Sequence, residues 1–329
     1  MEYEAFLKEW TGPSSFIEVE TSGSTGSPKS IKLEKSFLRE SALRTIDFFR
    51  LTEKSLLHSC ISPDFIGGKM MAVRAALAGA HLSWEIPSNS PLIGFSQDKC
   101  IDLLAVVPSQ MGFIIDRINS LPRINNIIVG GAPISYRLKE KISSSGLNVY
   151  ETYGMTETAS HIALRKVSSE KIPFKPLPGI TVALTNSGTL TITFDNGTAV
   201  ETNDLAEIIS PSEFYITGRR DLVINSGGKK INPIDLENSV SHLIPTPFMI
   251  SSLPDEKWGE RIVMLIQNFG NTDSQEKFKS RLIPYLKNEL KSWQIPKEIF
   301  FVNKIPLTSN GKISRLKGER LFDYLSSLS

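Results

Sequence analysis

Two short aliphatic runs constrain the fold more than any other feature of this chain. Leu103 to Val107 stops at Pro108, and Asn126 to Val129 stops at Gly130-Gly131. Runs this short and this apolar, closed by strong turn formers, read as strands covered on both faces, as in a parallel sheet with helices packed on either side. The flanking segments agree. Phe37, Leu38, Ala42, Leu43, Ile46 and Phe49 recur at helical spacing, as do Met70, Met71, Val73, Ala76 and Leu77. Strand and helix therefore alternate, and the fold class is α/β. Upstream, Phe6, Leu7 and Trp10 mark a short amphipathic lead-in, and Ser15 to Glu20 reads as a strand entering a polar glycine loop, Thr21 to Lys29.

After about Lys175 the texture changes to alternation, as in TVALTNSGTLTITF, with turn signals at Asn186-Ser187-Gly188 and Asp195-Asn196-Gly197. A polar junction at Gly218 to Asp221 then leads into a helix (Ile234 to Leu243), a strand (Arg261 to Gln267) and a second helix (Gln275 to Leu290). Single cores rarely keep growing past about 250 to 300 residues, so a chain of 329 divides. The expected plan is a large N-terminal α/β domain, residues 1–220, with a parallel sheet and a β-rich subdomain at about 176–218. A small α+β C-terminal domain, residues 221–329, completes it.

Composition excludes several classes. A formal charge of +2 gives no whole-protein field for nucleic acid or an anionic membrane. Cys60 and Cys100 are the only cysteines and form no C-x-x-C pair, so a reducing, cytoplasmic compartment fits best. The opening MEYEAFLKEW lacks the basic then apolar pattern of a signal peptide, and no apolar run nears the roughly 20 residues of a membrane span. His58, His81 and His242 show no metal-ligand spacing and read as structural.

The loop T-S-G-S-T-G-S-P-K sets hydroxyls, glycines and a terminal cation within nine residues, a composition suited to wrapping backbone N–H groups and an ammonium around phosphates. It is not a Walker A loop, because Lys29 is preceded by Pro28 and not by glycine. The loop resembles the phosphate loop of the acyl-adenylate-forming superfamily, and three further motifs occur in the order of that family. These are Gly130-Gly131-Ala132-Pro133 with Tyr153-Gly154-Met155-Thr156-Glu157-Thr158, then Asp204 with Gly218-Arg219-Arg220-Asp221, and last P-L-T-S-N-G-K-I-S-R at 306–315.

The resemblance covers about Thr21 to Arg315 and implies a set of roles. Thr21, Ser22, Gly23, Ser24, Thr25, Gly26, Lys29 and Thr156 would hold the phosphates of ATP. Gly130, Gly131, Ala132, Pro133, Tyr153 and Gly154 would form the adenine pocket, with the Tyr153 ring on the base. Asp204 and Arg219 would take the ribose, Glu157 would hold Mg2+, and Asp221 would be the hinge. Lys312 would be the catalytic lysine, bridging carboxylate and α-phosphate. A cation between two anions lowers their repulsion as they approach. The implied activity is an ATP-dependent, AMP-forming ligase that makes an acyl-AMP, releases pyrophosphate and passes the acyl group to CoA, with Gly228, Lys229 and Lys230 as CoA contacts.

Where the family carries a histidine-bearing acyl motif, this chain has S-P-D-F-I-G-G-K-M-M at 62–71. A lysine here suits an acid with a second carboxylate, and the resemblance implies Phe65 and His161 beside Lys69 as the acyl contacts. This region, with T-E-T-A-S-H-I-A-L-R at 156–165 and little chain before the phosphate loop, resembles the compact o-succinylbenzoate-CoA ligases of menaquinone biosynthesis. The short start implies a missing supporting subdomain, whose surface a homo-oligomer would cover. Two rival expectations stand beside this: an acyl-CoA or acyl-carrier ligase for another aromatic or aliphatic acid, and a nucleotide-binding module without turnover.

Overall fold

The computed structural model describes residues 3–21, 29–306 and 313–327. The two aliphatic runs form adjacent central strands, Leu103–Val106 and Ile127–Val129, with every residue buried. They lie in a seven-stranded sheet, ordered from one edge as Lys175–Pro176, Ser160–Lys166, Val149–Met155, Ile127–Val129, Leu103–Val106, Leu56–Ser59 and His81–Trp84. The five strands from Val149–Met155 to His81–Trp84 pair in parallel, and the other two are antiparallel.

Alternation along these strands sorts the core into two layers. Leu104, Val106, Ile127 and Val129 face Met111, Ile114 and Ile142, from the helices Pro108–Asp116 and Tyr136–Ser144. Leu103, Ala105 and Ile128 face the other way, onto Ile46, Met71 and Ala75 of the helices Lys35–Phe49 and Ile66–Ala78. Helices on both faces are what makes the central strands uniformly apolar. Helix Ile66–Ala78 is itself buried on two sides, because Met70, Ala72 and Val73 also pack with Tyr3 and Phe6 and with the hairpin residues Ile17, Val19 and Leu33. That hairpin pairs Phe16–Thr21 with Lys29–Glu34 and ends at Thr21 opposite Lys29, closing the base of the glycine loop.

The β-rich part is a four-stranded antiparallel sheet, Ile180–Leu184, Thr189–Phe194, Ala199–Ser210 and Glu213–Arg219. Its first two turns place Gly188 and Gly197 at φ of 78° and 83°, a region that favours glycine. A third, five-stranded sheet is built from residues after 223: Ile224–Ser226, Lys229–Ile231, Phe248–Asp255, Gly259–Gln267 and Glu298–Val302. All but Gly259–Gln267 add to the single strand, Arg261 to Gln267, that periodicity shows here. Among the described residues no helix is long and apolar enough to cross a membrane.

Candidate active site

A cavity of about 550 Å3 opens where the central parallel strands end, lined by Val107, Gly130, Gly131, Thr152 and Gly154 among others. Ligands of open α/β sheets bind at this place, beyond the carboxyl ends of the strands. The wall is backbone for a steric reason. A Cβ on Gly130 would sit 2.6 Å from Thr152 Oγ1, and one on Gly154 would sit 2.1 Å from the carbonyl oxygen of Ser160. After Gly154 the chain makes a tight turn, Thr156–Thr158, and passes through Ala159 and Ser160 at φ of 52° and 82°. Two successive non-glycine residues in the left-handed region are strained, and this strain sits in the cavity wall, which Ser160 and His161 line.

The acyl-side residues come from helix Ile66–Ala78. Phe65 precedes its first turn and lines the cavity. Lys69 does not line it: its ammonium lies 4.7 Å from the centre of the Phe6 ring, toward the N-terminal helix Tyr3–Thr11. Among the described residues the cation in the cavity wall is Arg74. Five residues on, it is rotated by roughly 140° about the helix axis and faces the sheet. It is 1% exposed, and burial pulls its pKa down to about 9. Its polar contacts are weak ones, Nη1 to Met71 Sδ at 3.7 Å and Nη2 to His161 Nδ1 at 3.5 Å, and Nε has no hydrogen-bond partner. Among the described residues no carboxylate pairs with it.

His161 is 4% exposed and neutral, because burial and the Arg74 charge hold its pKa well below the usual histidine value. The hydrogen bonds fix the tautomer. Thr45 Oγ1 donates to Ser41 O at 3.3 Å and so accepts from His161 Nε2 at 3.0 Å, which leaves the Nδ1 lone pair toward Arg74.

A second cluster sits at the edge of the β-rich sheet. Tyr153 Oη donates to Asp204 Oδ2 at 2.8 Å, and Arg219 Nη1 donates to Asp204 Oδ1 at 3.2 Å. Arg219 also forks onto Asp221, Nε to Oδ1 at 2.9 Å and Nη2 to Oδ2 at 2.8 Å. Burial raises the Asp204 pKa, opposed by Tyr153 and Arg219, and both oxygens keep lone pairs for further donors. The Tyr153 ring packs with Phe174 and Phe214, at 5.7 and 5.6 Å, and is not part of the cavity lining.

Of the residues expected from sequence, Gly130, Gly131, Ala132, Gly154, Thr156, Phe65 and His161 share the cavity. Pro133, Tyr153, Glu157, Asp204, Arg219 and Lys69 do not line it. Glu157 is exposed on the turn beside Thr156, and this turn packs against strand Phe16–Thr21. Gly228, Lys229 and Lys230 are exposed at a hairpin turn where Gly227 and Gly228 have φ of 56° and 73°. Ser22, Gly23, Ser24, Thr25, Gly26 and Lys312 lie outside the described residues, as do the side chains of Thr21 and Lys29. Their neighbours Glu20 and Ile313 both line the cavity. Sequence reasoning missed Arg74, whose only signal is a lone charge inside an apolar helical run.

Comparison with known proteins identifies the family. Residues 21–196 match the AMP-binding enzyme family, and residues 249–312 match the AMP-binding enzyme C-terminal domain. A 2-succinylbenzoate–CoA ligase of Listeria monocytogenes is 27% identical over 96% of this chain and 72% of the relative, and one of Bacillus cytotoxicus is 24% identical over 92% and 69%. An acyl-CoA synthetase (AMP-forming)/AMP-acid ligase II-like protein of Dyadobacter fermentans is 30% identical, covering 99% of this chain and 93% of that one, with a TM-score of 0.61. The o-succinylbenzoate CoA synthetase of Bacillus subtilis, solved with the acyl-adenylate OSB-AMP, superposes with a TM-score of 0.79 at 21% identity over 91% and 67%. A family match over more than half of the chain, seated on this cavity, makes the conclusion plain: the chain belongs to the AMP-binding enzyme family.

Proposed function

We propose that the chain is an ATP-dependent, AMP-forming acid–thiol ligase whose acid is o-succinylbenzoate and whose acceptor is CoA. The observation that carries the choice of acid is Arg74, a buried guanidinium in the cavity wall with no carboxylate partner among the described residues. An isolated buried charge is unfavourable until a counter-charge arrives. o-Succinylbenzoate brings two carboxylates: one reacts and the other neutralises Arg74, with neutral His161 beside it as a hydrogen-bonding wall. The 2-succinylbenzoate–CoA ligases among the relatives support the same acid.

In this reading Gly130, Gly131 and Ala132 hold the adenine edge, and Asp204 accepts the ribose hydroxyls while Tyr153 and Arg219 fix its two oxygens. The loop from Thr21 to Lys29 and the Thr156 hydroxyl hold the phosphates. Glu157 offers a hard carboxylate oxygen beside the Thr156 hydroxyl, a donor set that fits Mg2+, and the bound ion would neutralise triphosphate charge. Lys312 brings the reacting carboxylate oxygen to the α-phosphorus; the bond to pyrophosphate breaks as the mixed anhydride forms. In a second step the CoA thiol attacks the acyl carbonyl and AMP leaves.

We assign residues 1–220 and 221–329 as two domains hinged at Asp221, which in this conformer is forked onto Arg219. Lys229 and Lys230 are the CoA contacts of the second step. We place the enzyme in the cytoplasm. The exposed Ile86 and Ile93, beside the edge strand His81–Trp84, favour a homo-oligomer. The test is acid profiling by ATP–pyrophosphate exchange. The reading expects a strong preference for o-succinylbenzoate over benzoate and fatty acids; equal rates with all three remove the assignment.

A further inference from the structure

The seven-stranded sheet gathers three side chains that the catalytic reading leaves unused. In the parallel pairing of Leu56–Ser59 with His81–Trp84, His58 stands opposite Ser83. Both chains run on past the last pair, with the Glu85 N–H donating to Ser59 O at 3.2 Å, so Cys60 and Glu85 fall two residues further along the same face. One nitrogen of His58, Sγ of Cys60 and one carboxylate oxygen of Glu85 all lie within 4.8 Å of one another.

Glu85 interacts with both the Cys60 thiol and the His58 ring. His58 is 2% exposed and its Nε2 has no hydrogen-bond partner. Glu85 Oε2 stands 3.6 Å from it. Metal bonds of 2.0 to 2.3 Å in a tetrahedron set neighbouring ligand atoms roughly 3.3 to 3.8 Å apart, and 3.6 Å falls in that range. The other ring nitrogen is already engaged: Nδ1 lies 2.8 Å from Ser83 Oγ, which donates its own proton to Leu57 O at 3.4 Å. With the proton on Nδ1, where Ser83 Oγ accepts it, Nε2 has its lone pair available for a metal. Glu85 is oriented as well, taking the Leu92 N–H on both oxygens at 3.1 and 2.9 Å, from a residue whose φ is 64°.

We propose that His58, Cys60 and Glu85 form a zinc site at the carboxyl end of strand Leu56–Ser59. Thiolate, carboxylate and neutral imidazole around Zn2+ sum to zero charge, which suits a buried place, and thiolate with imidazole selects zinc over Mg2+ or Ca2+. Binding breaks the Cys60 S–H bond, forms S–Zn and releases the proton to solvent. Because Cys60 also lines the active cavity, the ion ties two strand ends together beneath the acyl site.

The test uses the full chain, stripped with a chelator and loaded with Zn2+ or, as a spectroscopic probe, Co2+. We expect about one zinc per chain to survive dialysis, and a thiolate-to-cobalt charge-transfer band in the near ultraviolet. The band should disappear in Cys60→Ser and persist in Cys100→Ser, whose thiol is exposed. Wild-type protein that shows no thiolate band, or loses its zinc on dialysis, overturns the site without recourse to any variant. A band that survives in Cys60→Ser and vanishes in Cys100→Ser assigns the binding to the surface thiol and overturns it equally.

Discussion

Replacing Arg74 with methionine separates stability from specificity. Burial pulls the guanidinium pKa down to about 9, and at 1.36 kcal/mol per pH unit this corresponds to a cost on the order of 5 kcal/mol for keeping the charge in the cavity wall without a carboxylate partner. Methionine is close in length, apolar, and adjoins Met71, so the variant should fold at least as stably as the parent in thermal denaturation. Catalysis should move the other way. A substrate carboxylate left unpaired in a buried site costs about 2 to 5 kcal/mol, which is roughly a 30- to 5,000-fold loss of kcat/KM. The assay is ATP–pyrophosphate exchange with o-succinylbenzoate and with an analogue in which the non-reacting carboxylate is esterified. The loss should be confined to the diacid, with the ester gaining relative to it. Equal losses with both acids, or a variant that unfolds, would refute the argument that Arg74 awaits a second carboxylate.

Three further outcomes follow from the geometry. His161 is neutral in the fold, with its pKa below the unfolded value of 6.5, so the unfolded chain takes up a proton first as pH falls. Stability should decline below pH 6.5 by up to about 1.4 kcal/mol per pH unit, and denaturant titrations of His161→Gln should show a shallower decline over the same window. Gly154→Ala should lose more than about 3 kcal/mol in urea unfolding, because the new Cβ meets backbone atoms of Ser160 and His161 and not a side chain that can turn away. Asp204→Ala should raise KM for ATP about 10- to 100-fold, as expected for lost hydrogen bonds to a charged group, with KM for the acid unchanged in initial-rate measurements.

Legibility followed the range of the interactions involved. Leu103 to Val107 and Asn126 to Val129 were readable because burial on both faces leaves a local mark, an apolar run cut off by proline or glycine. The Asn-Ser-Gly and Asp-Asn-Gly hairpins were readable because positive φ demands particular residues. The strand Phe248–Asp255 was not, since its buried Ser251 and Ser252 interrupt the apolar pattern and it ends through Pro254. Lys69 and Arg74 show the limit within one helix. Both are cations in an apolar run, and only the packing of Phe6 on one face and the sheet on the other decides that Arg74 enters the cavity. Likewise the alternation His58-x-Cys60 is a strand pattern whose third member, Glu85, arrives through a parallel register 25 positions away, a distance that spacing rules do not span. Gly130, Gly131, Gly154 and Thr156 were legible from the family's motif order, whereas the Tyr153 hydroxyl on Asp204 required the two sheets to meet.

The central claim, that this chain joins an acid to AMP, is tested most directly by mass spectrometry of the products formed from ATP, Mg2+ and o-succinylbenzoate, with and without CoA. The account predicts pyrophosphate and a protein-bound acyl-AMP when CoA is withheld, and AMP with acyl-CoA when it is supplied, neither forming with Lys312→Ala. Formation of ADP and phosphate, or acyl-CoA made without any acyl-AMP, would contradict it.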